Sequence, residues 1–185
     1  MRYNPRGMID PALAVRFRAL VLPHLDAAHN YARRLTRDPT EAQDVVQESF
    51  LRAWRYFDSF HGEAAKPWLF SIVRNSFVSM RAKRGEATME AVDDDGASAE
   101  LQGLAAATPS PERALIEADT RRLLEESLDA LALPSREVLL LREVEELSYK
   151  EIAEVLDIAI GTVMSRLARA REALAAELRR RMKES

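Results

Sequence analysis

An all-α fold of two small helical domains joined by a flexible acidic linker is predicted by three features of the 185-residue sequence. Apolar residues recur at spacings of three and four in both flanks, and no run alternates with the period of two that marks a strand. Asp10-Pro11, Asp38-Pro39 and Ser110-Pro111 each set a capping side chain before the proline favoured at the first helical position. Between the flanks, residues 85–110 (GEATMEAVDDDGASAELQGLAAATPS) hold three of the six glycines, seven alanines and six acids, with no base and no aromatic. The expected boundaries are 1–84 for an N-terminal helical bundle, 85–110 for the linker and 111–185 for a C-terminal helix-turn-helix domain. Fully extended at about 3.3 Å per residue, the linker reaches roughly 80 Å, enough to hold two modules a DNA turn or more apart.

The elements follow in order. Asp38-Pro39-Thr40-Glu41 reads as a capping box, with the glutamate placed to return to the cap. The helix it opens runs to about Phe57, with Ala42, Val45, Val46, Ser49, Phe50, Ala53, Trp54 and Phe57 as its core stripe. On the opposite face Asp44, Gln47, Glu48, Leu51 and Arg55 share the same spacing, so a leucine stands amid polar, mainly acidic neighbours. That face suits either ordinary solvation or docking of a basic partner helix. A polar loop, His61-Gly62-Glu63-Ala64-Ala65, leads to a helix opened near Pro67, with Trp68, Leu69, Ile72, Val73, Phe77 and Met80 inward. From Lys66 to Arg84 there are five bases and no acid; Arg74, Asn75 and Arg81 can share a surface that Lys83 and Arg84 extend. Such a surface attracts phosphates, and a polar loop beside it suits an unstacked base.

Beyond the linker, Pro134 opens another helix and Ser148-Tyr149-Lys150-Glu151 forms a second capping box. SYKEIAEVLD, a short break at Ile158-Ala159-Ile160 and GTVMSRLARAREAL then spell helix, turn and helix, closed by Ile152, Leu156, Ile158, Val163 and Leu167 around a small Ala153. Met164, Ser165, Ala168, Arg169 and Arg171 fall on the outward side of the second helix, where a recognition helix meets base edges; Arg142 and Ser148 flank it as phosphate anchors. A generic helical hairpin would show the same spacing.

Composition narrows the function classes. The formal net charge of -3 conceals basic segments: 1–84 is net +6 and 158–185 is net +4, around an acidic middle. Absence of cysteine removes disulfides, thiol nucleophiles and Cys-ligated metal, and His24, His29 and His61 sit among too few partners for a metal site. No catalytic triad order or oxyanion loop is recognisable, so neither enzyme activity, metal nor cofactor is expected. No stretch approaches the roughly 18 apolar residues of a membrane span, and the N-terminus lacks a signal-peptide layout. Cytoplasmic location without membrane insertion is therefore the expectation.

Taken together, DPTEAQDVVQESFLRAW, KPWLFSIVRNSFVSMRAKRG, the acidic linker and LPSREVLLLREVEELSYKEIAEVLDIAIGTVMSRLARAREAL resemble the bacterial extracytoplasmic-function (ECF) sigma factors, in the family's order and spacing over nearly all of both flanks. The resemblance implies a subunit that binds RNA polymerase core enzyme and directs promoter-specific initiation, held inactive by an anti-sigma factor and serving a stress or envelope response. It places Asp44, Gln47, Glu48, Leu51 and Arg55 on the stripe that docks on the polymerase clamp helices. Phe60, His61, Gly62 and Glu63 fall in the loop that holds a flipped base of the -10 element, with Arg74, Asn75, Arg81 and Arg84 on the neighbouring strand. Met164, Ser165, Ala168 and Arg169 would read the -35 element, and Arg142, Ser148, Arg166 and Arg171 would lie nearer the DNA backbone or the core. Two departures fall in the turn: Asp157 stands where the family often has glycine and Ala159 where it often has proline. Aspartate tolerates left-handed geometry, so the turn is expected to survive. The apolar Met164 and Ala168 point to thymine methyls or shape readout. A stand-alone helix-turn-helix regulator is the competing reading, but it has no need of the acidic stripe or the base-holding loop.

Overall fold

Two helix starts fall at Asp-Pro pairs, where an aspartate caps the first turn. The computed structural model describes residues 10–62, 64–85 and 111–184. Asp10 accepts a 2.9 Å hydrogen bond from the Ala12 N–H and opens α1 (Pro11–Leu20); after a 3₁₀ turn comes α2 (Leu25–Thr36). Asp38 caps α3 (Pro39–Tyr56) by accepting from the Glu41 N–H at 2.8 Å, a bond of the kind worth about 1 kcal/mol. The capping box is only half made. Glu41 pairs with Arg84 at 2.9 Å, and the Asp38 N–H donates to Thr36 Oγ1 at 3.3 Å. Helix α4 (Ala65–Lys83) starts two residues before Pro67; a proline is tolerated there because first-turn N–H groups have no intrahelical acceptor. The chain continues with α5 (Pro111–Ala130), α6 (Leu133–Leu139), a π-helical turn (Leu140–Val144), α7 (Tyr149–Leu156) and α8 (Ile160–Glu184). No strand occurs among the described residues, and none of their helices is long and apolar enough to cross a membrane. Ser110 and most of the expected linker, 86–110, lie outside the described residues.

The chain forms two units, one holding α1–α4 with Lys150–Ile158, the other holding α5, α6, the π turn and α8. In the first, α3 buries Ala42, Val45, Val46, Ser49 and Ala53, with Phe57 just beyond its end; Phe50 and Trp54 of the expected stripe are half-buried. Helix α4 packs on both α2 and α3. It therefore buries Phe70, against Tyr31 at a ring distance of 5.0 Å, besides the expected Leu69, Val73 and Phe77. Ile72, Met80 and Trp68 are half-buried. Phe17 of α1 sets its ring edge-on to both Trp54 and Phe57, each at 5.1 Å. Each large apolar side chain fully buried in this way contributes roughly 1.5–3 kcal/mol.

In the second unit, α5 and α6 pack on α8, joining Leu128, Leu131, Val138, Leu139 and Leu141 to a core with Val163, Leu167 and Ala170. Two ion pairs tie α8 to its neighbours: Arg171 to Glu143 and Arg181 to Glu126, both at 2.7 Å. Near its end, hydrogen bonds first from Arg180 and then from Arg181 lower the Glu177 carboxyl from its ordinary 4.5 to about 2. Because the folded value lies below the ordinary one, this contribution is complete above pH 4.5 and is lost as pH falls through 2. The last turns of α8 should accordingly fray over that interval: the protection factors of amides 177–184, which remove the intrinsic pH dependence of exchange, should fall there in the parent protein and change less in Glu177→Gln.

Candidate functional site

The acidic face of α3 lies open along the helix. Asp44, Gln47 and Arg55 are exposed, Glu48 is half-buried, and Leu51 is 56% exposed between them. Glu48 accepts a 2.6 Å hydrogen bond from Arg52 Nε one turn on, which fixes its carboxylate beside the leucine. An exposed leucine costs little in isolation, but one beside Glu48 and among polar side chains offers a partner both an apolar anchor and a charge pattern.

The loop after α3 rests on aromatic rings. Phe57 opens a 3₁₀ turn (Phe57–Ser59), and Phe60 ends it 7% exposed, its ring stacked on Phe57 at 5.9 Å and tilted against Trp68 at 4.6 Å. Phe60, expected among the base-holding residues, is thus core: its ring is committed to two neighbours and supports the loop from below. His61 and Gly62 are exposed above it, and Glu63 lies outside the described residues. A β-carbon on Gly62 would stand 3.0 Å from Phe60 Cε2, so close approach of backbone to ring explains the glycine. From 44 residues upstream, Arg16 Nη2 donates a 2.7 Å hydrogen bond to the Phe60 carbonyl, and its guanidinium lies 5.0 Å from the Phe57 ring centroid. No periodicity or motif singles out Arg16 in the sequence.

Of the expected phosphate-facing residues on α4, Asn75 is exposed, Arg74 is half-buried, and Arg81 stacks on Phe77 at 5.6 Å. Arg84 is exposed but carries the ion pair to Glu41.

In the second unit, the outward side of α8 presents Met164, 54% exposed, with Ser165, Arg166 and Arg169 half-buried. Ser165 Oγ donates to the Thr162 carbonyl at 3.2 Å, and Arg169 Nε donates to the Ser165 carbonyl at 3.4 Å. Ala168 corrects the expectation: it is 6% exposed, and a buried methyl cannot reach a thymine edge. Two helices packing on α8 leave it a narrower free face than one apolar stripe would. Arg171 donates through Nε at 3.1 Å and Nη2 at 2.7 Å to Glu143 Oε1. Arg142 donates to the Leu147 carbonyl at 2.9 Å and stacks 5.2 Å from the Tyr149 ring, beside an exposed Ser148. In the Lys150–Ile158 segment, grouped with the first unit, Asp157 adopts φ 54° after α7, and the Ile158 N–H reaches back to the Ala153 carbonyl at 3.1 Å. That is a Schellman closure, normally served by glycine, here made by the aspartate as expected.

Comparison with known proteins covers both regions. Residues 20–86 match sigma-70 region 2, and 121–174 match sigma-70 region 4. The chain is 32% identical over 165 residues to the ECF RNA polymerase sigma factor SigE of Mycolicibacterium smegmatis, covering 89% of this chain but 62% of that protein. It is 34% identical over 161 residues to the RNA polymerase sigma-H factor of Pseudomonas aeruginosa, with 85% and 83% covered. Among solved structures, the sigma factor RpoE of Bartonella quintana, determined in complex with the anti-sigma factor NepR, is similar with a TM-score of 0.66 and 30% identity over 89% of this chain and 97% of that one.

Proposed function

The chain belongs to the extracytoplasmic-function family of RNA polymerase sigma factors, and we propose on that premise how its residues divide the work of promoter-specific initiation. The α3 face of Asp44, Gln47, Glu48, Leu51 and Arg55 docks on the polymerase core. Its carrying observation is the exposed leucine set among carboxylates. His61 and Gly62 receive a base extruded from the -10 element, while Arg74, Asn75, Arg81 and Arg84 follow the strand. Capture of an extruded base offsets the few kcal/mol of unstacking, so binding favours the open duplex.

Met164, Ser165 and Arg169 read the -35 element, and Arg142, Ser148, Arg166 and Arg171 meet its phosphates. The continuous match over 121–174 supports assigning the -35 reading to this stretch of the sequence. Phosphoryl transfer stays with the polymerase, so the chain has no catalytic part of its own and works in the cytoplasm. An anti-sigma partner covers the docking face until a stress or envelope signal releases it; the complex of RpoE with NepR is the support for such a partner.

Transcription of a genomic fragment library by core enzyme, with and without this protein, tests the reading. New start sites sharing -10 and -35 elements are expected. An unchanged set of start sites would overturn it.

A further inference from the structure

The loop proposed to hold the extruded base has its backbone fixed from below at one place. Phe60 is buried between Phe57 and Trp68, so its ring cannot rotate away without opening the core. Its carbonyl, turned from the rings, is taken by Arg16 at 2.7 Å, and the same guanidinium lies over Phe57. A part-buried hydrogen bond from a cation is stronger than a neutral one, and a planar fork can serve a carbonyl and a ring face together. The next residues, His61 and Gly62, are exposed, and Gly62 runs so close to the Phe60 ring that the loop has little room to settle inward.

Building on the base-capture reading above, we propose that Arg16 is the positioning residue of the base-receiving loop: by clamping the Phe60 carbonyl it holds His61 and Gly62 in the presentation that accepts an extruded base. It never touches DNA in this role, and it lies on α1, with its hydrogen bond to the Phe60 carbonyl and its guanidinium over Phe57, neither a residue of the docking face. Loss of the clamp therefore weakens the distinction between a base present and a base absent, and leaves core binding unchanged.

The test uses full-length protein assembled with core enzyme and a pre-melted template from a promoter mapped by the transcription experiment. One version of the template carries the -10 base in question, the other an abasic position. Parent holoenzyme should prefer the base by roughly tenfold, the scale of one stacked base. Arg16→Met, which keeps a stem over Phe57 but loses the donor, should bring the preference below about twofold while binding core as the parent does. Arg16→Lys, able to reach the carbonyl or cover the ring but not both, should fall between them.

A preference in Arg16→Met equal to the parent's overturns the proposal. If Arg16→Met loses helicity or core binding, Arg16→Leu, which also lacks a donor, decides: full parental preference with normal core binding overturns the clamp, and a reduced preference supports it. A parent holoenzyme that binds both templates equally removes the base-capture reading and the clamp with it. Failure of the clamp alone leaves the parent's preference standing, so the two failures are told apart.

Discussion

Replacing Leu51 with aspartate should abolish promoter-dependent transcription without altering the helical signal of the free protein. The side chain is 56% exposed and packs on nothing essential, so folding loses little. Docking loses much more. A leucine buried at the centre of an interface supplies roughly 1.5–3 kcal/mol from area alone, and its replacement inserts a charge close to Asp44 and Glu48 where desolvation is greatest. A loss of about 2–4 kcal/mol corresponds to an affinity at least roughly 30-fold weaker. Anisotropy titration of labelled protein with core enzyme reads this directly. Leu51→Ala should lie between aspartate and parent, and Glu48→Lys should weaken binding by reversing a charge rather than removing an anchor. Kd values for all three within twofold of the parent's would show that the polymerase does not use this face.

Phe57→Ala should produce the largest loss of stability in the first unit, about 3–5 kcal/mol, the range for a large aromatic removed from a core that cannot collapse onto the space. The residue is fully buried and meets Phe17, Phe60, Trp68 and the Arg16 guanidinium. It thus joins α1, the end of α3, the loop and α4, and no single neighbour can fill the gap. Phe57→Leu keeps much of the volume and should cost less than half as much. Urea unfolding followed by tryptophan fluorescence reports on the site through Trp54 and Trp68. A shift below 1 kcal/mol for alanine would mean that the rings repack around the loss.

Much of this is legible in the amino-acid sequence. The buried stripe of α3 and the exposed stripe opposite it both follow from helical periodicity, which places Val45 and Leu51 on different faces whatever the rest of the chain does. Both Asp-Pro starts, at Asp10 and Asp38, are capped by those side chains because the capping chemistry is local. Legibility ends where contacts are distant in sequence. Phe60 lies past the end of a helix, so no period reveals which way its ring turns, and its partner Arg16 is 44 residues away. The sequence makes Glu41 the returning half of a capping box, but an arginine at the far end of α4 competes for it. Ala168 carries the right spacing for an outward position, and tertiary packing, which spacing does not encode, buries it.

The carboxylates that hold Arg84 and Arg171 bear on how binding responds to ionic strength. An arginine that must leave Glu41 or Glu143 to meet a phosphate gives up an ion pair that salt also weakens, so each such contact adds less net salt dependence than a count of basic side chains implies. A plot of log affinity against log salt should therefore be shallower than that count. Removing the internal rivals, with Glu41→Gln or Glu143→Gln, should steepen it.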